Sequence, residues 1–433
     1  MTHGPDPRSR RLRFAAAALA LLLLAATAFA AKFTPARPQD VGMSAERLDR
    51  LGRVMQEYVD RGQVGGVVVL VVRDGKAAYF KPFGKLDTAK GTPMPANAIF
   101  RIASQSKAVT SVAVMTLVED GRINLRDPVS KFVSEFKDTT VAVQAGDKGV
   151  QGYSVVPAKR PITIRDLLTH TSGISYGDGP AADLYQAAGV QGWFFADKDV
   201  PIGDCIKKLA RLPFDAQPGE KFVYGFNTDI LGYIVEVASG MSLADYVAKK
   251  ITGPLGMTDT SFFLPEDKAA RFSPVYAAKD GKAELVTDPR ENAYVKGPRM
   301  CFSGGAGLLS TAEDYARFLQ MMANGGELEG TRILSPKSVE IMTVNQVGSL
   351  YGDRGQGFGL GFSVTEDLGK TGEFGSPGVF GWGGAYFTTY WVDPVERLVA
   401  VFMTQLLPAG GLDLQTKFKT MVYQSIVRSY ERR

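Results

Sequence analysis

The pattern of hydrophobic and polar residues predicts strands near both ends of the chain. Residues 65–72 form an almost continuous apolar and β-branched run, Arg73-Asp74-Gly75-Lys76 is a turn sequence, and residues 77–82 return. A hairpin is therefore predicted over residues 65–83. Three further strands are predicted closer to the C-terminus, at residues 359–364, 385–392 and 398–404.

The segments between these strands carry apolar residues at helical spacing. Residues 103–119 show this spacing, and a last amphipathic helix is predicted at 412–430. Thr311 is a predicted N-cap with Asp314 three residues later. Further helices are predicted at residues 227–239, 243–251 and 311–324.

The order of these segments predicts the fold class and the domain organisation. The terminal segments, 31–126 and 300–433, are expected to form one sheet-centred α/β (α+β) domain. Residues 127–299 are expected to form a mostly helical insertion domain. A chain of 433 residues is long enough for two or three structural units.

The first thirty residues have the layout of a cleaved signal peptide. Four arginines between residues 8 and 13 precede an apolar run at 14–26, and the small-residue sequence Ala28-Phe29-Ala30 follows. Cleavage is expected after Ala30, which would make the protein secreted or periplasmic. An uncleaved membrane anchor is the alternative, but the apolar run is short for a bilayer-spanning helix. The pair Arg10-Arg11 loosely matches a twin-arginine signal, so the export route stays open.

Removal of this segment changes the charge balance of the protein. The whole chain has a formal net charge of +5, whereas residues 31–433 contain 46 basic and 44 acidic side chains and so carry +2. A nearly neutral mature protein gives no reason to expect a nucleic-acid partner. No stable membrane anchor is expected after signal cleavage either.

Cysteines and histidines are too few for several kinds of site. Cys205 and Cys301 could pair in an oxidising compartment, but their spacing does not decide this. Together with His170, the one histidine outside residues 1–30, they cannot form a recognisable zinc site, so no metal or cofactor is expected. A Ser-His-Asp hydrolase would have to use His170, and Ser104, the candidate nucleophile, does not lie in a Gly-x-Ser-x-Gly sequence. A structural role is favoured for His170.

The sequence Ser104-Gln105-Ser106-Lys107 at the start of a predicted helix is the strongest catalytic candidate. The i, i+3 spacing places Ser104 and Lys107 on one helix face. A serine hydroxyl needs a base to become a good nucleophile, and a lysine can serve if burial or a nearby cation lowers its pKa. The helix N-terminus also favours developing negative charge. The bare pattern is weak, because it occurs by chance in any chain of this length.

The surrounding residues strengthen this interpretation. The block Phe100-Arg101-Ile102-Ala103-Ser104-Gln105-Ser106-Lys107 resembles the active-site start of the serine β-lactamase and penicillin-binding protein superfamily. The similarity is greatest to class C β-lactamases and to the related family VIII carboxylesterases. It implies a β-lactamase/transpeptidase-like fold with an antiparallel sheet, and a Ser104 acyl-enzyme. Further matching blocks are residues 167–173, 218–224, 231–236, 303–308 and 381–384.

The resemblance implies that Tyr224 is the second catalytic residue. Its phenol could pass the proton of the nucleophile to the leaving group if cations such as Lys107 stabilise the phenolate. The alternative is a core tyrosine with a satisfied hydroxyl. Class C enzymes usually have Asn two residues after this tyrosine, where this chain has Phe226. Asn227 is therefore either a substrate contact or a helix N-cap.

The third element of the family has two candidates in this chain. Lys370-Thr371-Gly372 matches the usual Lys-Thr-Gly letters but lies in a glycine-rich stretch that indicates a loop. Trp382-Gly383-Gly384 lies ahead of predicted strands and is taken as the equivalent, because substrate must lie against the strand backbone and side chains would block it. The resemblance then implies an oxyanion hole formed by the N–H groups of Ser104 and Ala385.

Three functions follow from this set of residues. The first is hydrolysis of small acyl esters, with Lys107 and Tyr224 as general base and acid. A β-lactamase or a peptidase acting on D-amino-acid peptides is the alternative within the same mechanism. Trp382 favours the esterase, because an indole carries no charge with which to hold a substrate carboxylate. A non-catalytic peptidoglycan- or penicillin-binding protein is the alternative from another class.

Overall fold

The computed structural model describes residues 33–144 and 152–430, so the expected signal peptide at 1–30 lies outside the described residues. The strands in chain order are Gly66–Arg73 (β1), Lys76–Asp87 (β2), Thr92–Pro93 (β3), Phe100–Arg101 (β4), Thr140–Gln144 (β5), Tyr153–Pro157 (β6), Tyr276–Lys279 (β7), Lys282–Leu285 (β8), Leu309–Ser310 (β9), Glu327–Leu328 (β10), Thr331–Arg332 (β11), Gln356–Phe358 (β12), Ser363–Thr365 (β13), Phe380–Gly384 (β14), Thr388–Asp393 (β15) and Leu398–Met403 (β16).

The α-helices in chain order are Ala45–Asp60 (α1), Ser106–Glu119 (α2), Ile164–Leu168 (α3), Ala182–Ala187 (α4), Ile202–Leu209 (α5), Asn227–Ser239 (α6), Leu243–Val247 (α7), Ala293–Lys296 (α8), Ala312–Ala323 (α9), Pro336–Met342 (α10), Leu368–Thr371 (α11) and Leu414–Gln424 (α12). Several helices begin with a side-chain cap. Thr311, for example, accepts a hydrogen bond from the N–H of Asp314, as the sequence predicts.

Eight strands form one antiparallel sheet in the order β12-β13-β14-β15-β16-β1-β2-β3. The N-terminal hairpin β1–β2 is thereby joined to the C-terminal strands, and Leu70 of β1 pairs with Val401 of β16. The sheet confirms the expected antiparallel sheet flanked by helices. The stretch 127–299 holds α3 to α8 and the small hairpins β5–β6 and β7–β8. The division into two domains stays a prediction.

Strand β1 is buried along its whole length, because the sheet is covered on both faces. Val68 and Leu70 belong to the core under one face, and Val67 and Val69 belong to the core under the other. Helices α1 and α12 pack against each other on the second side, and α2 and α9 cover the first. This two-sided burial explains why the β1 sequence is continuously apolar rather than alternating.

The structure confirms some predicted elements and corrects others. Helix α6 has the predicted bounds, whereas the helix predicted at 412–430 ends at Gln424. The strand predicted at 359–364 is wrong. The N–H of Gly359 donates to the carbonyl of Phe362 across 2.8 Å, and Gly361 has a φ of 96°, so a turn separates β12 from β13 there.

Residues 303–308 pack backbone against backbone, as their glycines suggest. A Cβ on Gly304 would lie 2.6 Å from the carbonyl oxygen of Thr228, and a Cβ on Gly307 would lie 2.7 Å from that of Ser303. Only glycine fits these positions. The close approach of Gly304 brings this segment against helices α6 and α2, and the segment contacts Lys107 directly.

Among the described residues, no single helix is both long and apolar enough to cross a membrane. The segments Asn227–Ser239 and Leu243–Thr252 meet the length and composition test only as a pair, and they are bent by 81° relative to each other.

Candidate active site

Ser104 lies in a tight turn directly before helix α2. Residues Ala103–Gln105 form a 3-10 turn, and the α-helix begins at Ser106. Ala103 is fully buried and has a φ of 41°, in the left-handed region that non-glycine residues rarely adopt. Such a conformation persists only where the surrounding structure enforces it, so the orientation of the following serine is fixed by its environment.

Lys107 is buried with its ammonium group directed at Ser104. Its Nζ donates hydrogen bonds to the carbonyl oxygen of Gly305 at 2.8 Å, to the hydroxyl of Tyr176 at 3.0 Å and to Oγ of Ser104 at 3.3 Å. The residue is 2% exposed. Since an ammonium group has three N–H donors, these contacts use all of them. The i, i+3 spacing therefore brings the two side chains together as predicted.

The charge of Lys107 differs from the sequence-based expectation. Burial on its own lowers the pKa of Lys107, but interactions with the oxygens of Tyr176 and Tyr224 and with the carboxylate of Asp229 outweigh it. The pKa of Lys107 therefore lies above its ordinary value, whereas a base role for neutral lysine required a lowered one. The resting side chain is an ammonium ion.

Tyr224 lies over this ammonium group and beside Trp382. The Nζ of Lys107 is 4.6 Å from the centroid of the Tyr224 ring, and the indole Nε1 of Trp382 donates to the Tyr224 hydroxyl oxygen at 3.1 Å. A donor to a phenol oxygen stabilises negative charge on that oxygen. The sequence predicts only a substrate-binding role for Trp382, and the geometry adds a direct contact with Tyr224.

Strand β14 brings Trp382, Gly383 and Gly384 alongside the Ser104 turn. A Cβ on Gly384 would collide with the carbonyl oxygen of Ile102, two residues before Ser104, and with the hydroxyl of Thr388. A Cβ on Gly383 would meet only the Thr388 carbonyl, at 3.2 Å. Gly384 is thus the residue that must be glycine for β14 to lie this close to the Ser104 turn.

Two backbone N–H groups lie next to the serine turn, those of Ser104 and Ala385. Among the described residues, neither the N–H of Ser104 nor that of Ala385 donates to a backbone carbonyl. Ala385 packs against the small apolar cluster that contains Ala103, so the two segments adjoin. Paired N–H groups of this kind can stabilise the oxyanion of an acyl-transfer intermediate.

The segment Lys370-Thr371-Gly372 does not lie on a strand. It belongs to the short helix α11 and its C-cap, rather than to the predicted loop, and the side chain of Lys370 is exposed. Asp367 caps this helix by accepting from the N–H groups of Gly369 and Lys370. The Trp382 segment, and not this one, contacts Tyr224 and the Ser104 turn.

Asn227 is placed differently from either sequence-based expectation. Its side chain is fully buried, and its amide donates to Nδ1 of His170 at 2.9 Å and to the carbonyl oxygens of Ile174 and Val223 at 3.2 Å. It starts helix α6 but does not cap it with its side chain. Protein groups thus satisfy the amide in this arrangement, and Asn227 anchors the 170–174 loop.

His170 is a buried neutral imidazole beneath Tyr224. Burial, followed by the charge of Lys107, lowers the pKa of His170 well below its ordinary value. Its ring centroid is 4.7 Å from that of Tyr224. These observations fit the structural role favoured from the sequence.

Sequence reasoning missed three residues that surround Lys107: Tyr176, Gly305 and Asp229. Tyr176 follows the recognised block 167–173 by three positions, and burial raises its pKa so that it remains a neutral phenol. Gly305 lies in the block 303–308, for which the sequence predicts only close packing of the backbone. Asp229 is 1% exposed, and its Oδ1 accepts from Ser303 Oγ at 2.5 Å and from the N–H of Gly305 at 3.1 Å.

An aromatic cluster continues outward from Trp382. It consists of Phe222, Tyr351, Phe358 and Trp382, with ring centroids 4.8 Å apart for Phe222 and Tyr351 and 5.3 Å apart for Phe358 and Trp382. Tyr351 and Phe222 are partly exposed. The cluster forms an apolar wall beside Tyr224.

The two cysteines and the other potential ligands were also located. Cys205 and Cys301 are both buried free thiols, so the pairing considered from the sequence is not present as a disulfide. In residues 33–144 and 152–430, no three His, Cys, Asp or Glu side chains are grouped so as to hold a metal ion.

The family described as Beta-lactamase matches residues 51–418 of this chain. Relatives include Protein Rv1367c of Mycobacterium tuberculosis, which is 35% identical over 378 residues covering 83% of this chain and 90% of the relative. Esterase EstB of Burkholderia gladioli is 30% identical over 383 residues (83% and 91%). A putative D-alanyl-D-alanine carboxypeptidase of Escherichia coli O157:H7 is 27% identical over 414 residues (89% and 89%).

Among solved structures, EstCE1, described as a hydrolase with promiscuous acyltransferase activity, superposes with a TM-score of 0.75 at 26% identity. The superposition covers 87% of this chain and 98% of that chain. The family match spans most of the chain, and the resemblance identified from the sequence blocks is confirmed. The chain belongs to the Beta-lactamase family and is a serine hydrolase of that fold.

Proposed function

We propose that the protein is a carboxylesterase that cleaves small acyl esters through an acyl-enzyme on Ser104. The observation that carries the proposal is the contact between Lys107 Nζ and Ser104 Oγ, with Tyr224 above the same ammonium group. A binding protein without catalysis has no need of all three groups. This arrangement supports nucleophilic catalysis.

The acid–base work falls to Lys107 and Tyr224 as a coupled pair. When the pair has lost one proton, the phenol oxygen of Tyr224 accepts the hydroxyl proton of Ser104 while Oγ bonds to the ester carbonyl carbon. The same proton then passes to the leaving alcohol as the C–O bond breaks. Water then attacks the acyl carbon while the Tyr224 oxygen accepts one of its protons. As the bond between the acyl carbon and Ser104 Oγ breaks and the acid leaves, Tyr224 passes that proton to Oγ. Lys107 supplies the positive charge that stabilises the phenolate.

The oxyanion of each tetrahedral intermediate is assigned to the N–H groups of Ser104 and Ala385. Both are free of backbone acceptors within the described residues, and they lie on adjoining segments. Removing one such donor typically costs about 10²–10³ in kcat. Gly384 is essential to this arrangement because it allows β14 to approach Ile102.

The preference for a neutral ester rests on Trp382. The indole and the aromatic cluster present apolar area and one N–H, which is already donated to Tyr224. Lys370, whose cation could hold a substrate carboxylate, is exposed on α11. A small apolar acyl or alcohol group suits this wall better than a carboxylate does.

A β-lactamase or D-amino-acid peptidase is the second candidate. It is favoured by the match to a putative D-alanyl-D-alanine carboxypeptidase, and it would use the same Ser104 acyl-enzyme. We also propose that the protein is secreted or periplasmic, because residues 1–30 have the signal-peptide pattern.

One set of assays tests the proposal. The mature protein is expected to turn over a short-chain 4-nitrophenyl ester far faster than a chromogenic cephalosporin. An organophosphonate is expected to add once, as seen by intact-mass spectrometry, and Ser104→Ala should abolish both turnover and the adduct. Preferential cleavage of the cephalosporin would favour the second candidate, and an adduct on another serine would refute the assignment of Ser104.

A further inference from the structure

Helix α6 carries a buried carboxylate that the proposed mechanism does not use. Asp229 lies five residues after Tyr224, on a helix that packs against α2, where Lys107 is located. It is 1% exposed. A buried carboxylate is costly unless it is hydrogen-bonded and paired with a charge, so its partners indicate why it is there.

The partners of Asp229 lead directly to Lys107. Its Oδ1 accepts hydrogen bonds from the hydroxyl of Ser303 and from the N–H of Gly305, at 2.5 and 3.1 Å. The carbonyl of the same residue, Gly305, accepts from Lys107 Nζ at 2.8 Å. Asp229 thus binds the N–H of Gly305, and the carbonyl of Gly305 binds the ammonium group of Lys107.

Position 305 must be glycine for this link to form. A Cβ there would collide with Oδ2 of Asp229. The glycine therefore lets the carboxylate approach the chain closely at the point that contacts Lys107. Both hydrogen bonds at Oδ1 are donated to the carboxylate, which suits its ionised form.

The three direct partners of the ammonium group are a carbonyl, a phenol and a hydroxyl, and none of them carries a formal charge. The titratable groups that act on Lys107 or are affected by it are Tyr176, Tyr224, His170 and Asp229. Asp229 also faces Tyr176 and Cys301. Of these groups, the carboxyl is ordinarily the strongest acid. Burial raises the pKa of Asp229, and the charge of Lys107 and the hydrogen bonds from Ser303 and Gly305 act against that rise.

We propose that Asp229 is a positioning residue that acts as the buried counter-charge of Lys107 through the Gly305 peptide. It keeps the ammonium group protonated and directed at Ser104 and Tyr224. The role deepens the proposed function and rests on it, because it assumes that the Lys107–Tyr224 pair performs the acid–base step. A carboxylate near a cation makes that cation harder to deprotonate, so its removal moves the titration of the pair to lower pH.

The test compares the pH dependence of kcat/KM for a short-chain 4-nitrophenyl ester in the wild type, Asp229→Asn and Ser303→Ala. Asp229→Asn keeps the shape but removes the charge, and we expect the profile to move to lower pH by at least about one unit. We also expect kcat/KM at the optimum to fall by about tenfold or more. Ser303→Ala removes a hydrogen bond but leaves the carboxylate, so its profile should stay in place.

A lower maximum with an unshifted profile in Asp229→Asn would overturn the proposal and leave a purely structural role. If that variant does not fold, as judged by circular dichroism, the wild type can be examined directly. In protein labelled with [ε-¹³C]lysine, with Lys107→Arg used for assignment, the Lys107 resonance should remain that of an ammonium ion through about pH 10. Titration below that pH would overturn the proposal.

The two proposals can fail separately. Absence of ester turnover and of phosphonate addition at Ser104 in the wild type would refute the proposed function. The NMR titration of Lys107 needs no turnover, and it would still report whether the ammonium group has its counter-charge.

Discussion

The indole N–H of Trp382 donates a hydrogen bond to the hydroxyl oxygen of Tyr224 across 3.1 Å. The two residues come from separate parts of the chain, 158 positions apart. The contact holds the phenol oxygen in place as a hydrogen-bond acceptor. Trp382 is therefore expected to act on Tyr224 as well as on substrate.

Trp382→Phe should lower kcat/KM for a short-chain ester by about tenfold, because it keeps an aromatic ring but removes a hydrogen bond worth about 1.4 kcal/mol. Steady-state kinetics would measure the loss. Trp391→Phe is the matched control, since Trp391 is a buried indole on β15 that packs against Phe418 of α12. An equal loss in both variants would contradict a specific role for the Trp382 N–H.

Gly384→Ala should reduce kcat by about 10² or more, because the added Cβ would push β14 away from Ile102 and separate the two proposed oxyanion donors. Gly383→Ala should cause a much smaller loss, since its Cβ would meet only the Thr388 carbonyl at 3.2 Å. Activity and thermal unfolding of both variants would be compared. A greater loss of activity in Gly383→Ala would show that substrate, and not strand packing, occupies the critical space.

Lys370→Ala should leave kcat/KM on a neutral ester within about threefold of the wild type, or roughly 0.65 kcal/mol. Lys370 is exposed on the short helix α11, and exposed substitutions usually have small effects. The same variant should be assayed with a cephalosporin, which carries a carboxylate. A loss of two decades or more would place this cation in substrate binding and favour the β-lactamase or peptidase alternative.

The mature protein should begin near Ala31 when the full chain is expressed in a host that exports it. Four arginines, an apolar run and Ala28-Phe29-Ala30 form the expected cleavage signal. N-terminal sequencing of material from outside the cytoplasm would identify the first residue. Recovery of protein that still begins at Met1 would contradict cleavage.

Local sequence was sufficient to predict the contacts and helices that are formed by residues close together in the chain. The Ser104–Lys107 contact follows from a three-residue spacing across the 3-10 turn and the start of helix α2. Helix α6 has the predicted bounds, and Gly240 in the left-handed conformation ends it. The strand at 359–364 failed because its apolar residues conceal a turn at Gly361. Periodicity alone cannot reveal such a backbone reversal.

The surroundings of Lys107 could not be obtained in this way. Tyr176 and Gly305 contact it from 69 and 198 positions away, and these contacts exist only once the chain has folded. The raised pKa of Lys107 has the same origin, because it depends on Asp229 and the two phenols rather than on its neighbours in sequence. The spacing of Asn227 from Tyr224 likewise does not show that its amide turns toward His170.

The position of β1 between β2 and β16 has a consequence for biosynthesis. Val68 to Arg73 find their second hydrogen-bonding partners only at residues 398–403, so a chain still emerging from a ribosome or a translocation channel cannot complete its central sheet until almost all of it is available. Until then β1 is a long, apolar, unpaired edge of the kind that promotes aggregation. Products truncated before residue 398 should consequently be insoluble rather than partly active, and the nascent chain would benefit from a chaperone for nearly its whole synthesis.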